Sequence, residues 1–213
     1  MSEEIQPPKQ ERSRQLLERL LKSTIEILCE EGLDGATIPV IATRAAISPA
    51  SVYRRFKDKD ALLRAAFLRV IDLGGLSARH LLSPAVFREL SFEEAAAKIV
   101  GLLYMQYRGA PKLIKSINRF YEADTDERFR RDSLDGLKRN FANLARALLA
   151  IRELANSPGA ERSVTLGLLA VTNSIETIVL DPDSLWSIIQ PASDEEIQAE
   201  LVRMLVSYVR SSP

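Results

Sequence analysis

The sequence predicts an all-α fold, with a short N-terminal three-helix unit followed by a C-terminal helical bundle. Three observations in the 213 residues predict it. Alanine and leucine abound while only 6% of the residues are aromatic, a balance that favours helices over sheets. Apolar residues recur at helical spacing through most of the chain, and no segment keeps the alternation of a strand. Helix-start signals punctuate those segments: Ser followed by Pro, or Ser followed three residues later by Glu.

In chain order, residues 1–11 read as a flexible arm, with two prolines, mixed charge and little to bury. A helix follows from Arg12 to Glu31, its stripe made by Leu17, Leu20, Leu21, Thr24, Ile27 and Leu28. Gly32 suits the left-handed residue that ends a helix. Thr37 stands at the cap of a second, short helix with Pro39 in its first turn, and Ile38, Ile41, Ala42 and Ala45 form its inner stripe. Ile47 lies in a tight turn. Ser48 then caps a third helix, Pro49 to Phe56, with proline at its first position. Helix, short helix, tight turn and short helix make a helix-turn-helix.

Beyond it a helix is expected from Lys59 to about His80, another from Ser91 with Glu94 closing a capping box, and a short one after Pro111. A long helix from Thr125 to about Leu154 carries Leu137, Phe141, Leu144, Leu148 and Ile151 at a 4-3-4-3 spacing. The next begins at Ser157-Pro158 and holds the most apolar run, Val164 to Leu180. The last begins at Ser193 with a capping-box Glu196, and its stripe is Ile197, Leu201, Met204, Leu205 and Tyr208.

Charge and composition narrow the function. Lys plus Arg is 29 and Asp plus Glu is 29, so the chain is neutral overall. Between Gly35 and Arg64, however, Arg44, Arg54, Arg55, Lys57, Lys59 and Arg64 face only Asp58 and Asp60, six cations against two anions. The single cysteine, Cys29, permits no internal disulfide, which fits a reducing, cytoplasmic setting. The polar N-terminus is not a signal peptide. Asn173, Ser174 and Glu176 interrupt the apolar run, which is read as a buried helix and not a membrane span. His80 is the only histidine, so no metal site of mixed nitrogen and sulfur ligands, and no cofactor, is expected. There is no Gly-rich phosphate loop and no Gly-x-Ser-x-Gly elbow, so the chain is not read as an enzyme. The acids at Asp124, Asp126 and Glu127, and at Asp194, Glu195 and Glu196, fall at helix starts, where they complement the dipole.

On a helical wheel, Val52 and Phe56 share the inward face of the third helix. Ala50, Ser51 and Arg54 lie opposite, with Tyr53 and Arg55 on the flanks. Small residues allow close approach to base edges, and Arg54 can reach guanine O6 and N7 together. Tyr53 holds a hydroxyl where a phosphate would lie, and Lys57 and Lys59 add charge at the start of the following helix. Thr37, Arg44, Ser48 and Pro49 complete the candidate DNA surface.

The stretch TIPVIATRAAISPASVYRRFKDKDALL resembles the DNA-binding segment of the TetR/AcrR family of bacterial transcriptional regulators. Thr37, Ile41, Ala42, Ala45, Ser48, Tyr53, Phe56 and Lys59 match that pattern position by position. Two residues depart from it: Ala46 stands where the family usually has glycine, and Arg55 where it often has His or Tyr. The resemblance covers roughly Arg12 to Leu63. It implies a homodimer on a palindromic double-stranded operator, usually released by a small molecule, with residues 12–57 binding DNA and residues 58–213 binding ligand and dimerising.

In that second region Tyr104, Tyr107, Phe120, Tyr121, Phe129, Asn140, Glu176 and Trp186 are the candidate pocket residues. The mostly apolar inward stripes suit a hydrophobic or amphipathic effector, not a sugar or nucleotide. Val164, Leu168, Val171 and Ile175 with Ile197, Leu201, Leu205 and Tyr208 are expected to pair with their copies in a four-helix dimer interface. Two alternatives stay open: a helical adaptor that binds proteins only, and an activator of the same family.

Overall fold

In a computed structural model the described residues are 9–154 and 159–211, and among them all regular structure is helical. The expected arm at 1–11 therefore lies mostly outside the described residues, as does the Ser157-Pro158 helix start. The helices are α1 (Lys9–Gly35), α2 (Ile38–Arg44), α3 (Pro49–Tyr53), α4 (Lys59–Leu81), α5 (Pro84–Phe87), α6 (Phe92–Gly109), α7 (Pro111–Ala123), α8 (Glu127–Leu149), α9 (Ala160–Leu180), α10 (Leu185–Ile189) and α11 (Asp194–Ser211).

The chain divides into two compact units, Met1–Val70 with Lys112–Phe129, and Ile71–Pro111 with Arg130–Pro213. The structural division therefore does not fall at residues 57 and 58. The first half of α4 and all of α7 beyond Pro111 belong with the helix-turn-helix. The reason is a set of contacts within that unit. Phe67 of α4 packs on Phe120 of α7, with ring centroids 5.2 Å apart. Phe120 in turn meets Phe129 edge-on at 5.8 Å, and Arg64 Nε donates to Asp124 at 2.7 Å.

The first unit is built on α1. Leu20, Thr24, Ile27 and Leu28 are fully buried, as are Ile41 of α2, Ala45 at its C-cap, Val52 of α3 and Leu62, Leu63 and Phe67 of α4. At Gly32 the chain kinks, with φ 74° and ψ −167°, a region only glycine enters readily, and one more turn carries α1 to Gly35. Two lysines take the carbonyls that the kink exposes: Lys112 Nζ donates to Glu30 O at 2.7 Å and Lys59 Nζ to Leu33 O at 3.2 Å.

The second unit centres on α6, α9 and α11, which pack on one another. The capping boxes expected at both helix starts are present. Ser91 N donates to Glu94 Oε2 and Ser193 N to Glu196 Oε2, each at 2.8 Å, and each serine Oγ accepts the glutamate N–H in return. Gly167 lets α9 and α11 approach closely, for a Cβ there would lie 2.7 Å from Leu205 Cδ1 and 3.3 Å from Tyr208 Cδ1. Of the stripe expected on the long helix, Leu144, Leu148 and Ile151 are buried and Phe141 is half-buried, while Leu137 at its N-terminal end is exposed. Helix α9 is long and apolar enough to cross a membrane by length and composition, but it is a core helix of this unit.

Candidate nucleic-acid interface

The turn between α2 and α3 sets the aim of the third helix. Ile47 N donates to Ala42 O at 3.0 Å and Ala46 N to Thr43 O at 3.1 Å, the paired bonds of a Schellman ending. That ending puts the intervening residue in left-handed conformation, and Ala46 has φ 53°. The residue that departs from the family glycine therefore carries the positive φ itself.

Ser48 then caps α3. Its Oγ accepts from Ser51 N at 3.3 Å and lies 2.9 Å from Ser51 Oγ. Arg54 Nη2 donates to Ser51 Oγ at 2.7 Å, so Ser48, Ser51 and Arg54 form one polar row along the helix. Ser48, Pro49, Ala50, Tyr53, Arg54 and Arg55 are exposed, with Val52 buried beneath them. Helix α3 is shorter than expected, ending at Tyr53, although Arg55 and Phe56 still bond back to Val52 O. Phe56 is half-buried.

The cations sort into two groups. Three are held by other elements of the unit. Arg44 grips Glu30 with both terminal nitrogens, at 3.0 and 2.7 Å, and holds that carboxyl below the usual carboxylate range. Lys59 is docked on the end of α1, and Arg64 is tied to Asp124, whose hydrogen bond raises the guanidinium pKa further. Arg54 and Arg55 instead donate to neutral hydroxyls, Arg55 Nη1 reaching Ser13 Oγ on α1 at 3.1 Å. Lys57 is exposed, with Asp58 3.7 Å away. The positive charge held by hydroxyls and not by carboxylates thus sits directly after α3, on Arg54 and Arg55. Thr37 occupies the α2 cap with an exposed side chain that makes no capping bond. Glu30 and Ser13 were not singled out in the sequence, and no local pattern marks them.

The candidate pocket residues separate into groups. Phe120, Tyr121 and Phe129 belong to the aromatic cluster of the first unit, Tyr121 lying 6.1 Å from Phe129. In the second unit Asn140 Nδ2 donates to Ile71 O at 2.9 Å and Tyr107 Oη to Glu176 Oε2 at 3.3 Å. Burial pushes the Tyr107 hydroxyl pKa up, with the Glu176 charge adding to it. Tyr104 Oη donates to Asp194 Oδ1 at 2.7 Å, and burial raises its pKa to about 12. Arg108 binds both oxygens of Asp194, at 2.5 and 3.0 Å, and lowers that carboxyl's pKa. Trp186 stands apart from these pairings: with Arg108, Ile178, Gln190, Pro191 and Ile197 it lines a cavity of about 250 Å³. Among the described residues no group of His, Cys, Asp and Glu is placed to hold a metal ion.

The residues expected at a dimer interface need correction. Val164, Leu168, Val171 and Ile175 of α9 and Leu201 and Leu205 of α11 are buried within the single chain, so they have no surface to give a partner. They lie in the core of the unit that α6, α9 and α11 build. Ile197 is half-buried, and Tyr208 is exposed.

Residues 20–66 match the family model of bacterial regulatory proteins of the TetR family. A helix-turn-helix transcriptional regulator, BetI of Burkholderia thailandensis, is 41% identical over 63 residues, which is 29% of this chain and 32% of that protein. The chain thus aligns with about a third of that relative's length. Two crystal structures extend the likeness in fold. A TetR-family regulator from Mesorhizobium loti gives a TM-score of 0.70 at 16% identity, covering 93% of this chain and 97% of that one. FadR from Bacillus subtilis, in complex with stearoyl-CoA, gives 0.63 at 16% identity, covering 89% and 97%.

Proposed function

We propose that this chain, whose residues 20–66 match the TetR family of bacterial regulatory proteins, acts as a homodimeric repressor that binds a palindromic operator and is released by a small hydrophobic or amphipathic ligand. The observation that carries the DNA half of this reading is the polar row Ser48, Ser51 and Arg54, flanked by Tyr53 and Arg55 and seated over buried Val52. Arg54 reads a base edge. Tyr53, Arg55, Lys57 and Thr37 meet phosphates, and Ala50 and Pro49 let the helix enter the major groove. Arg44 and Lys59 act mainly by bracing α2 and α4 on α1. Residues 12–57 are the DNA-reading region, and residues 58–213 hold the effector and the dimer contacts.

A two-fold dimer would place the two reading helices about 34–36 Å apart, one turn of DNA. Support for an interface on α9 and α11 comes from their outward faces, where Leu166, Leu169, Met204 and Tyr208 stay exposed. An amphipathic effector is supported by the mixed lining of the cavity beside Trp186, where Arg108, Ser187 and Gln190 meet Ile178, Pro191 and Ile197, and by a protein of the same fold solved in complex with stearoyl-CoA. The protein works in the cytoplasm, where its operator is.

The test begins with sequences selected from random DNA. Arg54→Ala is expected to cost about 1–3 kcal/mol on the selected operator and to relax preference at one position. Lys57→Ala should weaken all sequences alike and reduce the salt slope by about one. Unchanged affinity and preference in Arg54→Ala would overturn this orientation of α3.

A further inference from the structure

Helix α10 is five residues long, and four of them are large and apolar: Leu185, Trp186, Ile188 and Ile189. None is buried, with exposures of 71%, 42%, 64% and 72%. Such a cluster is out of place on a surface that stays in water. On its inner side lies the 250 Å³ cavity, so α10 is not packed into its own core.

Helix α10 also closes the hairpin formed by α9 and α11. Gly167 of α9 lies against Leu205 and Tyr208 of α11, which fixes the two helices as antiparallel, with α10 at one end. The second exposed apolar group, Leu166, Leu169, Met204 and Tyr208, lies toward the other end. At 1.5 Å per residue along α9, the two patches are roughly 20 Å apart. Their charges differ. From Ser163 to Val202 the sequence has seven acids and no lysine or arginine, and five of those acids, Asp181, Asp183, Asp194, Glu195 and Glu196, flank α10. Beside the other patch the charges balance: Arg203 is ion-paired with Glu200, and exposed Arg162 stands next to exposed Glu161.

We propose that α10 is a clasp for a second copy of this chain: Leu185, Ile188 and Ile189 of one protomer cover Leu166, Leu169, Met204 and Tyr208 of its partner, and the reverse contact forms by symmetry. This rests on the dimeric reading above and specifies its geometry. A two-fold axis across the hairpin lays each acidic, α10-bearing end on the partner's charge-balanced end and keeps the two acidic ends apart, which is the self-complementary arrangement such symmetry requires. The areas agree. At roughly 200 Å² per large residue, the patch at the open end offers only about 350 Å² of apolar surface. Adding α10 brings the total to about 850 Å², in the range of the roughly 800 Å² per partner that stable interfaces bury. The acids around α10 argue against a membrane as the occupant, because surface-binding helices carry Lys and Arg on their polar face.

Complementation tests the geometry. One variant carries Ile188→Asp and Ile189→Asp on α10; the other carries Leu169→Asp and Met204→Asp. All four positions are exposed, and circular dichroism melting confirms that each variant folds. In sedimentation equilibrium each variant alone is expected to dimerise at least tenfold more weakly than wild type. An equimolar mixture should regain dimer, because one end-to-end contact is intact in the heterodimer. Trp186, the only tryptophan, should shift its emission to the blue as the wild type associates. A wild-type dimer that neither the α10 variant nor the Trp186 emission registers would overturn the clasp and leave the dimer standing. Failure of the mixture to recover would overturn the end-to-end contact. A wild-type chain that stays monomeric at micromolar concentration would overturn the dimeric reading itself.

Discussion

Helix α3 and the α9–α11 hairpin assign their faces in opposite ways. In α3 five residues suffice, because the backbone on either side dictates direction: a Schellman ending before it, a serine cap and a proline at its first position. One residue, Val52, goes in, and the rest stay out. Helix α9 has 21 residues and no comparable marker. It is apolar nearly all round, with Val164, Leu168, Val171 and Ile175 on one side and Leu166 and Leu169 on the other. Both sides demand cover. Hydrophobicity alone does not say which side is covered by the same chain and which by another molecule. Of the eight residues expected at an interface, six are buried in the chain's own core, and only Tyr208 stands on the outer face.

The largest effect should come from testing that distinction. Ile175→Ala removes a fully buried side chain and is expected to lower unfolding free energy by about 2–5 kcal/mol. Leu169→Ala, six residues away on the outer side, should change the stability of the isolated protomer by no more than about 0.5 kcal/mol. Urea unfolding at a concentration low enough to exclude dimer measures both. Equal losses would mean that α9 has no outer face at all.

A smaller effect, within the first unit, concerns the brace on α4. Asp124 is buried and Arg64 largely so, and they meet at 2.7 Å. Asp124→Asn keeps the shape but leaves the guanidinium only its more distant carboxylate partner, Asp126 at 3.8 Å, which should cost about 2–3 kcal/mol. The same substitution at Asp34, whose bond to Arg119 is exposed, should cost less than about 1 kcal/mol. If the two substitutions cost the same, the Arg64 pair is not a brace.

The contrast also marks what the sequence could disclose. Local rules were readable: the inner stripe Ile38, Ile41, Ala42 and Ala45, the glycine at the α1 kink, and both capping boxes involve residues within a few positions of one another. The outward face of α3 was readable for the same reason. The partners of Arg44, Lys59 and Arg64 lie 14, 26 and 60 positions away, so a cation count could not separate braces from free surface charge. Of the acids read as complementing a helix dipole, Asp126 accepts from Phe129 N at 2.8 Å, while Asp124 is turned to Arg64. Helix α10 is too short to show a period, and its isolated Trp186 gave no sign of an exposed cluster.

The smallest effect concerns Ala46, where the local rule was read correctly and the residue still breaks it. Its φ of 53° places a β-carbon in the left-handed region, at a cost of about 1–2 kcal/mol relative to an unstrained backbone. Ala46→Gly removes that strain but gives the unfolded chain more freedom, which takes back about 0.4–1 kcal/mol. The side chain is exposed, so no core contact is lost. The net expectation is a gain of about 0.5–1 kcal/mol, read as a higher urea midpoint with an unchanged slope. Both bonds of the turn, from Ile47 N to Ala42 O and from Ala46 N to Thr43 O, involve only backbone atoms and survive the change. The aim of α3 should therefore be preserved, and operator affinity should stay within about twofold, a shift of roughly 0.4 kcal/mol. A loss of stability would show that the alanine methyl is held by its surroundings. A gain in stability with a large loss of affinity would show that the strain itself helps to aim the reading helix, a use of backbone strain known at functional sites.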